Sequence, residues 1–248
     1  MKPRRPAGHA RVVTSGLVPG RGHARRPLRL LPGGTRGPTV PYVGAIVRAL
    51  VVNCTLKKSP EPSNTEALTS VVTERLSKLG VEVDSVRAVD LDLAPGVVTD
   101  AGDGDEWPQV HAKLLESEIL VVASPTWLGR PSSVAQRVLE RMDAMMSETD
   151  DEDRPVAYNR VAGVVVTGNE DGAHHVISEI SGALADVGYT IPGQAWTYWH
   201  LGPGAGPDYL DEQRGRDWSH RTGRAMADNL HGVALALAER PLSAPGSD

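Results

Sequence analysis

Three times in this chain a short, nearly continuous apolar run ends in a loop of turn formers and hydroxyls, and a helical apolar stripe begins just after it. The runs are Ala-Ile-Val-Arg-Ala-Leu-Val-Val at 45–52, Ile-Leu-Val-Val-Ala at 119–123 and Val-Ala-Gly-Val-Val-Val at 161–166. Each is too short to cross a membrane and too continuous for a strand with one wet face, so each reads as a buried parallel strand. Parallel neighbours need crossover connections, and the stripes supply them. They are Leu68, Val71, Val72, Leu76 and Leu79; then Val134, Ala135, Val138, Leu139, Met142 and Met146; then Val176, Ile177, Ile180, Leu184 and Val187. Strands and helices alternating this way build an open α/β sheet, whose ligands sit beyond the carboxyl ends of the strands.

The three loops at those ends carry different chemistry. The first, 53–66, holds Thr55, Ser59, Ser63, Asn64 and Thr65 with Lys57 and Lys58. Ser63 with Glu66 fits a capping box, and hydroxyls around the free amides of a helix start can cradle a phosphate. A plain helix cap is the alternative for Ser63. Neither a Gly-x-x-x-x-Gly-Lys loop nor a Gly-x-Gly-x-x-Gly fingerprint is present there, which favours a phosphomonoester over a magnesium-bound polyphosphate. The second loop, Ser124-Pro125-Thr126-Trp127-Leu128-Gly129, is an aromatic turn, although Pro and Gly alone are ordinary turn chemistry. In the third, Thr167-Gly168-Asn169-Glu170-Asp171-Gly172-Ala173-His174, the glycines let backbone approach a flat ligand, and a simple helix start near Asp171 is the alternative. Together the loops outline a mononucleotide with a large planar ring.

In this order the three motifs resemble the flavodoxin-like NAD(P)H-dependent FMN reductases, over roughly residues 45–195. The resemblance implies a doubly wound, five-stranded parallel sheet of order 2-1-3-4-5 with helices on both faces and FMN at the switch point. It assigns Thr55, Ser63, Asn64 and Thr65 to the FMN phosphate. Pro125, Thr126, Trp127, Leu128 and Gly129, with Thr167, Gly168, Asn169, Asp171 and Gly172, then line the isoalloxazine. NADPH or NADH as cosubstrate, a small electron acceptor such as a quinone or a flavin, and a homodimer or homotetramer are implied with it. Hydride would pass from the nicotinamide to the flavin, which supplies the redox chemistry, so no catalytic side chain is assigned. The chain departs from the family at Cys54-Thr55, where a Gly-Ser pair is common; Thr55 keeps the hydroxyl. A flavodoxin-type electron carrier reduced by a protein partner is the second reading. A fold that has lost its cofactor is the third, and the Ser63-Asn64-Thr65 cluster speaks against it.

The first 44 residues hold nine Lys and Arg, no Asp or Glu, seven Pro and eight Gly. They read as a disordered basic extension, with prolines that spoil a transit helix and no secretory apolar region. The folded domain is expected at 45–240 and a short disordered tail at 241–248. Residues 45–248 carry 17 Lys and Arg against 31 Asp and Glu, a poor balance for nucleic-acid binding. No apolar stretch reaches the length of a membrane span, and a single cysteine, Cys54, suits a reducing cytoplasm. A buried Cys54 is the favoured reading over a reactive one. Residues 81–87 alternate as an edge strand, and the acidic loop 91–106 reads as solvated, without the spacing of a calcium loop. His174 and His175 have no sequence-specified metal partner. A fifth strand is expected near 193–197. Trp196, Tyr198 and Trp199 follow as candidates for ring cover, subunit contact or core. A last helix, 208–240, shows the stripe Met226, Leu230, Val233 and Leu237.

Overall fold

The computed structural model describes residues 46–204 and 206–246. The basic extension expected at 1–44 lies outside them. In chain order the elements are β1 (Arg48–Asn53), α1 (Asn64–Lys78), β2 (Glu82–Arg87), α2 (Trp107–Glu116), β3 (Ile119–Trp127), β4 (Arg130–Pro131), α3 (Ser133–Met142), β5 (Val161–Thr167), α4 (Ala173–Val187), β6 (Trp196–Trp199) and α5 (Arg216–Glu239). The strands line up as β2-β1-β3-β5-β6, all parallel, and the two-residue β4 folds back antiparallel on β3. With β4 set aside, this is the expected order, β5 and β6 being its fourth and fifth strands.

The nearly continuous apolar runs follow from a sheet covered on both faces. Leu50 and Val52 of β1 pack on the side of α2, α3 and α4, whereas Ala49 and Val51 pack on the side of α1 and α5. Leu68, Val72 and Leu76 of α1, and all five residues of the α4 stripe, are buried as their spacing predicts. The approach of α5 is close enough that a Cβ on Gly163 would lie 2.6 Å from the Ala195 carbonyl oxygen and 2.7 Å from Met226 Cε.

Four expectations need correction. The fifth strand starts at Trp196, because a turn closed by the Ala195 amide on the Pro192 carbonyl occupies the preceding residues. The last helix starts at Arg216, since a 3-10 turn at Tyr209–Asp211 and Gly215 at φ 78° come first. Beyond Met142, α3 tightens into a 3-10 turn at Asp143–Ser147, and the change from 3.6 to three residues per turn puts Met145 inside and Met146 outside.

The acidic loop is not solvated throughout. The Asp105 side chain is 1 % exposed and accepts two hydrogen bonds, at 3.0 and 2.7 Å, from the fully buried side chain of Arg141. Arg141 also donates to the carbonyls of Ala94 and Val98, so this one side chain straps the loop onto α3. Among the described residues no helix or strand follows α5, but Leu242 exchanges two hydrogen bonds with Asn159.

Candidate functional site

A cleft of about 560 Å³, counting its open mouth, lies at the carboxyl ends of β1, β3 and β5. The first loop contributes Thr55, Leu56, Lys57, Asn64 and Thr65 to its walls. This loop is held from outside. Arg87, at the end of β2, donates to the carbonyls of Lys57 and Glu61 and pairs with the Glu66 carboxylate. Ser59 binds Asp90 through both its hydroxyl, at 2.6 Å, and its amide, at 2.9 Å. Those two bonds hold the Asp90 carboxyl below its ordinary range.

The hydroxyls of the first loop are therefore divided between two tasks. Ser63 accepts from the Glu66 amide at 3.2 Å and caps α1; it does not line the cleft. The capping box is half made, because Glu66 turns to Arg87 and not back to the cap. The amides of Asn64 and Thr65, in the first turn of α1, have no partner within the helix, and the hydroxyls of Thr55 and Thr65 stand beside them at the cleft. The side-chain oxygen of Asn64 accepts from the Leu210 amide at 3.1 Å, which fixes the 3-10 turn against α1 and places Asp208 and Tyr209 on the cleft wall.

The second loop is a β-hairpin. The Pro125-Thr126-Trp127 segment continues β3, and Leu128 (φ 50°) with Gly129 (φ 72°) forms a two-residue turn into β4, the I′ geometry that matches strand twist. Pro125, Thr126 and Trp127 line the cleft. Leu128 does not, being 92 % exposed, and Gly129 lies behind the wall. Ser132 caps α3, and its hydroxyl donates to the Cys54 carbonyl at 2.7 Å, which ties the hairpin to the first loop.

From the third loop Thr167, Gly168 and Asn169 reach the cleft, whereas Asp171 and Gly172 do not. A Cβ on Gly168 would sit 3.0 Å from Thr126 Cβ, so the second and third loops meet there without room for a side chain. Gly172, at φ +107°, backs onto the hairpin turn: a Cβ on it would be 2.6 Å from Gly129 Cα. Inside the cleft wall the hydroxyl of Thr126 is buried with no hydrogen-bond partner. A donor set of hydroxyls, free helix amides and one lysine suits a phosphomonoester. An unpartnered hydroxyl beside a glycine edge suits the polar rim of a flat ring.

Trp199, one of the three aromatic candidates for ring cover, completes the walls together with Asp208 and Tyr209, to which the motifs give no role. Trp199 is buried, donates from Nε1 to the Arg214 carbonyl at 2.8 Å, and meets the Tyr209 ring edge-on at 5.4 Å. Alternation along β6 sends Trp196 and Tyr198 to the opposite face, where His174 packs edge-on against both, at 5.2 and 5.1 Å, away from the cleft. Cys54 is fully buried, and burial pushes its thiol up to about 12, which disfavours a reactive thiolate beside the phosphate end.

A parallel doubly wound sheet with its cleft beyond the strand ends, at the point where strand order reverses, defines a flavodoxin-like ligand-binding domain. Residues 47–200 match the NADPH-dependent FMN reductase family, and the chain belongs to it. The cofactor of that family is FMN, with a reduced nicotinamide dinucleotide as reductant, which makes this chain a flavoprotein of the oxidoreductase class. It is 35 % identical over 206 residues to 8-demethyl-8-aminoriboflavin-5′-phosphate synthase of Streptomyces davaonensis, a match covering 79 % of this chain and 80 % of that protein. It is 40 % identical over 206 residues to the divalent metal cation transporter MntH of Mycobacterium bovis. That match covers 80 % of this chain but 30 % of the longer protein. Among the described residues no helix is long and apolar enough to cross a membrane. The crystal structure of RosB with bound 8-demethyl-8-formylriboflavin-5′-phosphate superposes with a TM-score of 0.74 at 34 % identity, covering 79 % of this chain and 82 % of RosB. The NAD(P)H:quinone oxidoreductase of Methanothermobacter marburgensis, with a TM-score of 0.50 at 13 % identity over 75 % of this chain and 96 % of that one, shares the fold.

Proposed function

We propose that this chain is an FMN-dependent oxidoreductase that oxidises NAD(P)H and passes the electrons to a small acceptor such as a quinone or a free flavin. The observation that carries this reading is the assembly, in one cleft, of a phosphate-type cradle (Thr55, Lys57, Asn64, Thr65) and a flat backbone edge (Thr126, Gly168). Bound FMN supplies the acceptance of hydride and the onward delivery of electrons.

In this reading the protein binds and orients. The Asn64 and Thr65 amides, the Thr55 and Thr65 hydroxyls and the Lys57 ammonium hold the phosphate. Pro125 to Trp127 and Gly168 to Asn169 would hold the ring, and backbone amides of these segments would stabilise the negative charge that reduction places on it. Trp127, 54 % exposed, forms a wall on the open side. Gly129 and Gly172 act from behind the wall, where their contact sets the spacing of the two ring loops, while Leu128 stands at the exposed hairpin tip and Asp171 lies outside the cleft lining. The same reading places the protein in the cytoplasm as a homodimer or homotetramer, with the functional domain at 45–240.

The test is the visible spectrum of the FMN-loaded protein during anaerobic addition of NADPH and then NADH. Rapid loss of the bound-flavin band is the expected result. A band that persists with both nucleotides moves the assignment to an electron carrier reduced by a protein partner.

A second reading has its own support. Similarity to the 8-demethyl-8-aminoriboflavin-5′-phosphate synthase and to RosB is much higher than to the quinone oxidoreductase. It would make riboflavin 5′-phosphate the substrate of this cleft and not its cofactor. Mass spectrometry of the flavin extracted after turnover separates the two: an unchanged flavin supports the cofactor role, and a flavin of new mass supports conversion.

A further inference from the structure

Lys57 and Asp208 are the charged residues that line the cleft. A lysine belongs in a phosphate cradle, but a carboxylate repels a phosphate and needs another explanation. The Asp208 backbone is engaged, since its carbonyl accepts from the Asp211 amide at 3.1 Å. Its carboxylate makes no hydrogen bond and no ion pair among the described residues.

The segment that carries Asp208 is pinned at two points of the cleft wall. On one side of it the Gly206 amide donates to the carbonyl of Asn169, in the third loop, at 2.9 Å. On the other side the Leu210 amide donates to the side-chain oxygen of Asn64, in the first turn of α1, at 3.1 Å. Asn169 belongs to the ring loops and Asn64 to the phosphate cradle, so Asp208 lies midway along a strap that runs from one to the other. Its neighbour Tyr209 keeps the strap in place: the Tyr209 ring meets Trp199 edge-on at 5.4 Å, its hydroxyl lies 2.7 Å from His220 Nε2, and its carbonyl accepts from Arg216.

A carboxylate accepts hydrogen bonds and donates none, so its complement is a row of hydroxyl or N–H groups. In FMN the stretch between phosphate and ring is the ribityl chain, an uncharged row of hydroxyls. A separate cation would also satisfy a carboxylate. The two anchors favour the hydroxyls, because they set Asp208 between the two halves of a single ligand.

We propose that Asp208 accepts hydrogen bonds from the ribityl hydroxyls and makes this cleft selective for flavins that carry that chain. The proposal rests on the orientation read above, with the flavin phosphate at Asn64 and Thr65 and the ring at Thr126 and Gly168, and it is the same whether the flavin is cofactor or substrate. Asp208 thus supplies the contact between cradle and ring loops for which the three motifs hold no residue.

The test is titration of the flavin-free full chain with FMN, riboflavin and lumiflavin, followed by calorimetry. Riboflavin and lumiflavin are both uncharged and differ in the ribityl chain, whereas FMN and riboflavin differ in the phosphate. Wild type should bind riboflavin more tightly than lumiflavin. Asp208→Ala should weaken riboflavin about tenfold, the step expected for a hydrogen bond to a charged group, and leave lumiflavin unchanged; Asp208→Asn, which keeps an acceptor without the charge, should fall between. A wild type with no preference for riboflavin, an alanine variant that keeps the preference, or an equal loss of both flavins overturns the proposal, the last because it marks a collapsed strap. FMN binding no tighter than riboflavin would instead remove the phosphate cradle, and a riboflavin preference lost in the alanine variant would leave the Asp208 contact standing without it.

Discussion

The hydroxyl of Thr65, in the first turn of α1, lies 2.8 Å from the hydroxyl of Thr167, at the end of β5, across 102 residues of chain. Both are buried, and both belong to the cleft wall. Two hydroxyls bring two protons, one of which is used between them. The other is left to donate into the cleft, so the pair links the cradle to the ring loops and presents a donor to whatever binds there.

Thr65→Val keeps the shape and removes the hydroxyl assigned to the phosphate, leaving the Thr167 hydroxyl at the ring loops without its partner. Hydrogen bonds to charged groups contribute about 1.5–3 kcal/mol, so FMN should dissociate at least about tenfold more readily, while Thr65→Ser should recover most of the loss. Quenching of flavin fluorescence on titration measures this. Unchanged affinity in the valine variant would remove Thr65 from the phosphate cradle.

The Gly172 position tolerates no side chain, since its φ is +107° and a Cβ would lie 2.6 Å from the Gly129 backbone. Gly172→Ala should cost about 1–3 kcal/mol, a fall in Tm of roughly 2–4 °C for each kcal/mol in a domain of this size. Weaker flavin retention should accompany it, because the strain is relieved by spreading the two ring loops. Thermal melts with and without FMN show both effects.

Where one periodicity runs uninterrupted, the sequence was legible. The α1 and α4 stripes, the buried central strands and the edge strand follow from spacing alone, because burial on both sheet faces leaves a pattern that neighbours cannot blur. Met146 failed because a 3-10 turn shifts the phase, and nothing local announces that shift. Arg141 was missed because it occupies an inward position, three residues after Val138, and its partner Asp105 lies in a loop far along the chain. Thr55, Thr126 and Gly168 were found since strand ends must converge. Asp208 and Tyr209 were not, because contacts distant in sequence, the Asn64 to Leu210 bond and the Trp199 to Tyr209 ring contact among them, bring that turn to the cleft.

The buried pair Arg141 and Asp105 sets an acid limit on stability. The Arg141 guanidinium, foremost among several donors, holds the Asp105 carboxyl far below its ordinary range. A lowered folded pKa stabilises fully above the unfolded value of about 3.9 and is lost as pH falls from there toward the folded value. Urea unfolding should therefore show no contribution to the slope from this group between about pH 5 and 8, and a steep loss below about pH 4. Asp105→Asn should remove that part of the acid slope. It should also cost about 3–5 kcal/mol at neutral pH, because Arg141 is left buried and uncompensated.

Cys54 offers a check on packing beside the cleft. With the thiol fully buried and its pKa pushed up to about 12, Ellman's reagent at pH 8 should find no accessible thiol in the folded protein, and the chain's single cysteine should react after unfolding in guanidinium. Reaction in the folded state would mean that the first loop opens at β1 and that the phosphate cradle is not rigid.

Leu128 breaks two local rules at once, since a bulky side chain sits at φ 50° and stands 92 % exposed at a hairpin tip. Asn-Gly is the preferred pair for this turn, so Leu128→Asn should relieve about 1 kcal/mol of backbone strain and raise Tm by roughly 2–4 °C, with no burial lost. A residue held against its own conformational preference points to use elsewhere, and here the exposed Trp127 stands next to it on the cleft wall. The stabilised variant should accordingly lose kcat/KM several-fold in flavin reduction by NADPH, as expected when strain is retained for function. A variant that gains Tm and keeps its kinetics would show that the hairpin tip serves neither the flavin nor the nicotinamide, and would leave Trp127 to form the open wall alone.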